Sequence, residues 1–174
     1  EILYVSAKTG IGAKEILEAV VKRVPPPRGN PEAPFRALVF DSIYNSYKGI
    51  IGYVRMEDGN VSKSDRIMVM SSGKVAEIVE LGIFAPTPQP VDVLYSGQVG
   101  YIATGFKDVT ECAVGETLTS FTQPANDPLP GYVELKPMVF AGLYPADGEA
   151  YNNLRAALEK LRLNDASLTT QPDS

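Results

Sequence analysis

Histidine and tryptophan are absent from the 174 residues, and cysteine occurs once, at Cys112. Without histidine the chain has lost the commonest general base and the commonest metal ligand together. A single cysteine builds neither an internal disulfide nor a cysteine-based zinc site, so no metal centre is expected. It fits a reducing, cytoplasmic setting. No stretch approaches the ~18 apolar residues of a membrane-spanning helix, and no signal peptide precedes the first strand-like run. Membrane association is therefore not indicated. A basic surplus is missing as well. Residues 1–80 carry 11 Lys and Arg against 10 Asp and Glu, and residues 81–174 carry 5 against 11, for a net charge of −5. Stand-alone nucleic-acid binders show the opposite balance, so DNA is not an expected partner and any RNA contact must be local.

What is present is ordinary globular composition, 44% hydrophobic and 21% charged, arranged in three parts. Ile2-Leu3-Tyr4-Val5 reads as a strand, Ser6 to Gly12 as a loop, and residues 13–24 as a helix. Its apolar positions Ala13, Ile16, Leu17, Val20, Val21 and Val24 share one face. Pro25-Pro26-Pro27 stops that helix and opens a stiff, polyproline-like linker over 25–34. A strand-loop-helix cannot bury its own faces, so residues 1–24 read as a remnant of a larger α/β unit. The chain also opens without Met, which suggests an excised piece.

Residues 35–122 are dense in strand signals: Phe35–Ile43, Gly49–Met56, Arg66–Met70, Lys74–Phe84, Val91–Tyr95, Gln98–Thr104 and Glu116–Phe121. Asp58-Gly59 supplies a hairpin signal. Pro86, Pro88 and Pro90 mark a loop that no central strand tolerates. Gly49, Gly52, Gly97 and Gly100 fit bulges or corners. The expected fold is mainly β, a small barrel. After a second linker at 123–135, Lys136–Leu143 reads as a buried strand. Asp147 reads as an N-cap, Glu149–Leu163 as a helix, and Leu168-Thr169-Thr170 as the start of another strand. That order suggests a truncated ferredoxin-like α+β piece over 136–174.

Three motif matches are coincidental. Ser71-Ser72-Gly73-Lys74 with Lys8-Thr9-Gly10 imitates a penicillin-recognising serine enzyme, but the order is wrong and S-D-N is missing. Gly10-Ile11-Gly12 has Glu15 where a dinucleotide fingerprint needs its third glycine. Asn60-Val61-Ser62 matches a glycosylation sequon without any sign of secretion.

Ser6-Ala7-Lys8 differs, because it lies at a βα junction followed by a proline linker and a barrel pattern. There the chain resembles translational GTPases, and the triplet is similar to their last guanine-contacting loop. The resemblance implies that the Ala7 backbone faces the base and Lys8 covers it, with Ser6 in the same loop. Lys48-Gly49-Ile50-Ile51-Gly52-Tyr53-Val54-Arg55, Asp58-Gly59-Asn60-Val61 and Asp65-Arg66-Ile67 are similar to the second domain of elongation factors Tu and G. Ser64 departs from their usual glycine. Five longer strings narrow the match: 40–47, Leu81-Gly82-Ile83-Phe84-Ala85-Pro86, 99–102 with Lys107-Asp108, 136–145 and 158–168. They resemble the elongation factor 4 (LepA) branch over nearly the whole chain, although Thr170-Gln171-Pro172 and Tyr95-Ser96-Gly97-Gln98 depart from its usual residues.

The resemblance implies a fragment: the end of a GTPase domain at 1–24, a six-stranded Greek-key translation-factor barrel at 35–122, and the start of a ferredoxin-like third domain at 136–174. The intact family members are ribosome-dependent GTPases that use GTP and Mg²⁺ and act on elongating ribosomes, in back-translocation or in fidelity and assembly. The phosphate loop, D-x-x-G and N-K-x-D that such chemistry needs are missing from these 174 residues. A docking module without cofactors or GTPase activity of its own is therefore expected, with no catalytic residues. Its implied partner is small-subunit ribosomal RNA in a bacterial-type cytoplasm, organelles not being excluded. Tyr44, Asn45, Tyr47 and Lys48 form one candidate contact cluster, and Arg55, Lys63 and Arg66 a second around one hairpin, with Lys48 and Arg55 foremost. Lys and Arg would neutralise phosphates and tyrosines would stack on bases. The bare faces of the outer parts also allow dimerisation. The alternative is a self-sufficient barrel that binds a small ligand or a partner protein.

Overall fold

The computed structural model describes residues 2–107, 111–131, 138–145, 147, 150–162 and 168–171. Helix α1 (Ala13–Arg23) starts after Gly12, whose φ of +76° is left-handed. A Cβ at Gly12 would stand 2.6 Å from the carbonyl oxygen of Tyr4, so the turn into the helix admits only glycine. The helix ends at Val24, which is already extended, as the following proline demands. No residue of α1 is buried, and Leu17, Val20 and Val21 of its apolar stripe are exposed. The expected strand over Ile2–Val5 is not formed. Those residues are irregular and exposed, with no neighbouring strand among the described residues to pair their backbone groups.

Ten strands occur among the described residues: β1 (Arg36–Asn45), β2 (Gly49–Asp58), β3 (Asn60–Ser62), β4 (Arg66–Val69), β5 (Val75–Glu77), β6 (Glu80–Phe84), β7 (Pro88–Pro90), β8 (Val93–Tyr95), β9 (Val99–Ala103) and β10 (Thr117–Ser120). They form an eight-stranded sheet in the order β5-β4-β10-β1-β2-β9-β6-β7 and a two-stranded ribbon β3-β8, every pairing antiparallel. The expected mainly-β class holds, but the strands are more numerous and shorter than six. The Lys74–Phe84 run divides into β5 and β6. The proline segment becomes β7 at one end of the sheet order, where Pro88 and Pro90 leave no inner ladder short of a donor.

Asp58-Gly59 does turn the chain, but not as a hairpin. β2 pairs with β1 and β9, whereas β3 pairs with β8. Gly59, at φ +65°, is the corner where the chain leaves the large sheet for the ribbon. A bulge also falls elsewhere than at the glycines: the β1–β2 register shifts between Val39 and Asp41, which makes Phe40 the extra residue.

Alternation along β2 explains the core. Ile50, Val54 and Met56 face a large cluster with Ala37, Val39, Val61, Ile67, Val69, Leu81, Leu94, Ile102, Cys112 and Leu118. Ile51 and Tyr53 face the opposite side, with Tyr101, Ala103, Ile43 and Phe84. Gly52 points inward, where a Cβ would meet the Cys112 sulfur at 3.4 Å. Buried hydroxyls are hydrogen-bonded: Ser42 Oγ donates to the Cys112 carbonyl at 3.0 Å and Thr119 Oγ1 to the Phe35 carbonyl at 2.7 Å.

The third part departs furthest from expectation. Of the expected strand Lys136–Leu143, residues 136 and 137 lie outside the described residues. Residues 138–143 are irregular, and Met138, Val139 and Phe140 are exposed. No strand lies beside them among the described residues. Helix α2 spans Tyr151–Leu161, so it starts later than Asp147 would set it. Its N-cap is Ala150, without a side-chain bond, and the Asp147 carbonyl accepts the Ala150 N–H at 2.9 Å. Residues 149 and 163 of the expected helix lie outside the described residues, as do Asp108 and most of 164–168 in the motif strings. Residues 168–170 are irregular rather than a strand.

Candidate functional site

The candidate residues lie on strand ends, turns and loops rather than on one face. Asn45 ends β1, and its Oδ1 accepts the N–H groups of Tyr47 at 2.9 Å and Lys48 at 3.0 Å. This side-chain turn replaces a backbone one. It thrusts Tyr47 outward, at 95% exposure, while Tyr44 is 36% exposed. The Lys160 ammonium of α2 lies 5.1 Å from the Tyr44 ring centroid, within cation–π range.

Lys48 is engaged within the protein. Its Nζ donates to both carboxylate oxygens of Glu80, at 2.7 and 2.8 Å, and the Tyr101 hydroxyl donates to Glu80 Oε1 at 2.9 Å. The Lys48 hydrogen bond is the main influence holding the Glu80 carboxyl below its usual range, helped by Tyr101 and by the charge of Lys63. Tyr101 is pushed up to about 12, first by burial and then by Glu80.

The second expected cluster does not gather around one hairpin. Arg55 lies on β2 and Arg66 on β4, strands separated in the sheet by β1 and β10. Arg55 pairs with Glu57 at 3.2 Å, and the Arg66 guanidinium carbon lies 4.3 Å from the Phe121 ring centroid. Lys63 belongs instead near Glu80, lining a cleft of about 170 Å³ with Leu81, Pro90, Val91 and Asp92. Ser6, Ala7 and Lys8 lie in the loop before α1. That loop closes by Ser6 N–H to the Ile11 carbonyl at 3.0 Å and Gly10 N–H to the Ser6 carbonyl at 2.9 Å. Ala7 and Lys8 are exposed.

Glu80 and Tyr101 escape sequence reasoning, since each reads as an ordinary strand residue. So does a run of aromatic rings across neighbouring strands. Phe40 and Tyr53 are 6.4 Å apart, Tyr53 and Phe84 5.0 Å, and Phe84 and Tyr101 5.8 Å. Each strand contributes one ring to the run, so no pattern along a single strand announces it. Among the described residues no cluster of acidic or cysteine side chains is placed to hold a metal, and no helix is long and apolar enough to cross a membrane.

No protein-family model matches the chain. Individual proteins do. Elongation factor 4 of Thermobifida fusca is 52% identical over 174 residues, all of this chain and 28% of that protein. Elongation factor 4 of Thermotoga maritima is 54% identical over 172 residues, 99% of this chain and 28% of that protein. Among solved structures, one from Thermus thermophilus superposes with a TM-score of 0.74 at 22% identity, covering 96% of this chain and 25% of that one. A bacterial selenocysteine-specific elongation factor gives 0.59 at 19% identity over 70% of this chain and 20% of that one. These structures speak for the fold alone. The chain spans little more than a quarter of the curated relatives it matches, and over its whole length it is homologous to a segment of the elongation factor 4 family.

Proposed function

We propose that the chain is the part of a ribosome-dependent GTPase that docks the factor on the small ribosomal subunit. The observation that carries this reading is identity near one half, end to end, to elongation factor 4. In this reading residues 35–122 close as the Greek-key translation-factor barrel, residues 1–24 end the nucleotide domain, and residues 136–174 begin a ferredoxin-like third domain. Ser6, Ala7 and Lys8 would meet the guanine of GTP in the intact cytoplasmic factor. The chain alone would not hydrolyse GTP, since it lacks the phosphate cradle and the Mg²⁺ ligands. Micromolar binding of a fluorescent GTP analogue would contradict that.

Of the candidate RNA contacts, Tyr47 gains weight from its exposure, and Lys63 and Arg66 from their places at strand ends. Lys48 and Arg55 lose weight because each already faces a carboxylate. Asn45 and Tyr44 shape and flank the turn that presents Tyr47. A small-ligand module draws no support from the cleft beside Lys63 or the one on α1, which hold about 170 and 260 Å³, below the ~300 Å³ where ligand pockets begin.

Co-sedimentation with purified small subunits at two salt concentrations tests the reading. Binding should weaken with salt and fall about tenfold in Lys63→Glu combined with Arg66→Glu, as two phosphate contacts are lost. Salt-independent binding, or binding indifferent to both reversals, would overturn it.

A further inference from the structure

Both linkers are clipped to the sheet, and the clips meet at one residue pair. In the first linker, Pro27 packs on Gly97, where a Cβ would lie 2.9 Å from the proline ring. A Cβ on Gly29 would lie 1.5 Å from the Glu57 carbonyl oxygen. Asn30 then donates its N–H to Asp58 Oδ1 at 2.9 Å, and its carbonyl accepts the Gly59 N–H at 2.9 Å. In the second linker, Ala125 N–H donates to Thr119 Oγ1 at 3.0 Å and Leu129 N–H to Thr117 Oγ1 at 2.9 Å. Between them the Asp127 carbonyl accepts from Arg36 Nη1 at 3.1 Å. Arg36 Nε donates to Asp58 Oδ2 at 2.8 Å. The side chains of Arg36 and Asp58 are only 28% and 11% exposed.

One carboxylate thus holds the first linker with one oxygen and Arg36 with the other, while Arg36 holds the second linker with its remaining nitrogen. We propose that Arg36 and Asp58 form a joint that couples the two linkers, so that the seating of the segment before the sheet is transmitted to the segment after it. The hinge before the sheet is then confined to Val24, Pro25 and Pro26, rather than spread along the whole linker. This inference concerns the chain's own mechanics and does not rest on ribosome docking.

Residue-resolved amide exchange on the intact chain tests it. Asp58→Ala should speed exchange at Asn30 about tenfold, the loss of one hydrogen bond to a charged group. It should also speed exchange at Ala125 and Leu129 about threefold or more, while the β2 and β9 amides stay protected. Asp58→Asn, which keeps the shape, should give the same pattern at smaller amplitude and serves if Asp58→Ala loosens the sheet. Gly29→Ala lifts the first linker without touching either joint residue, and coupling requires Ala125 and Leu129 to respond to it. Faster exchange at Asn30 with Ala125 and Leu129 unmoved would mean two independent clips and would overturn the proposal. So would an Asp58→Ala variant in which neither linker responds.

Discussion

Raising the pH probes the core through Cys112. Its side chain is fully buried beside Gly52 and Val39, and burial, with the nearby Glu116 charge, pushes its thiol from 9.0 up to about 12. In the unfolded chain the thiol ionises near 9.0, whereas in the folded chain it stays neutral. The unfolded state therefore binds fewer protons above pH 9, and stability falls as pH rises from the unfolded value toward the folded one. The linkage relation gives a loss on the order of 1 kcal/mol by pH 10 and about 3 kcal/mol by pH 11. Urea unfolding at pH 7, 9, 10 and 11 measures it, the later loss corresponding to a midpoint shift of about 1–2 M. Tyr101 adds to the decline mainly above its ordinary value of 10.0, so between pH 9 and 10 Cys112 supplies the larger part of the loss. Cys112→Ala should cost about 1–2 kcal/mol at pH 7, as a buried sulfur is deleted, yet decline much less steeply than the parent chain from pH 9 to 10. Parallel curves for both proteins over that interval would refute the reasoning.

Acid acts in the opposite sense. Asp58 is held below 3.8, mainly by the Asn30 N–H, and Glu80 below 4.5, mainly by Lys48, so both stabilise the fold above those values and lose that contribution as pH falls through their folded values. Glu80→Gln should flatten the acid limb of a stability-against-pH curve and leave the Asp58 portion, and an unchanged acid limb would contradict the assignment. Gly82→Ala would place a Cβ 2.5 Å from the Tyr101 ring and 2.3 Å from the Gln89 carbonyl. It should cost about 1–3 kcal/mol, read as a lowered thermal midpoint, whereas an unshifted midpoint would mean that β6 and β7 separate freely there.

The longer strands were legible because their β-branched runs alternate cleanly, and β1, β2, β9 and β10 fall within a few residues of expectation. The ribbon strand β3 was not, since three residues carry no periodicity. Asp58-Gly59 announced a turn correctly, but a turn signal does not say which sheet the chain enters next. The linker over 25–34 read as a stiff, polyproline-like segment, with no contact to the sheet foreseen. Gly29 and Asn30 instead meet Glu57 and Asp58, residues nearly thirty positions away that no local pattern connects to them. The expected strand is not formed over residues 138–143, for a related reason. Apolar composition supplies a strand's preference, but pairing requires a neighbour, and the described residues offer none.

The same non-local pairing decides what the candidate surface can contribute. By composition the first eighty residues offer eleven cations, which suggests several phosphate contacts. Folding engages many of them. Lys48 turns to Glu80, Arg36 to Asp58, Arg55 to Glu57 and Lys74 to Glu111. Each such cation reaches a phosphate only by giving up a carboxylate, an exchange that gains little in free energy. If Lys63 and Arg66 supply the main RNA contacts, the logarithm of the binding constant should fall with the logarithm of salt at a slope of only about −1.4 to −1.8. A much steeper slope would require the paired cations to open on docking. Glu80→Gln, which frees Lys48 beforehand, would then tighten binding rather than leave it unchanged.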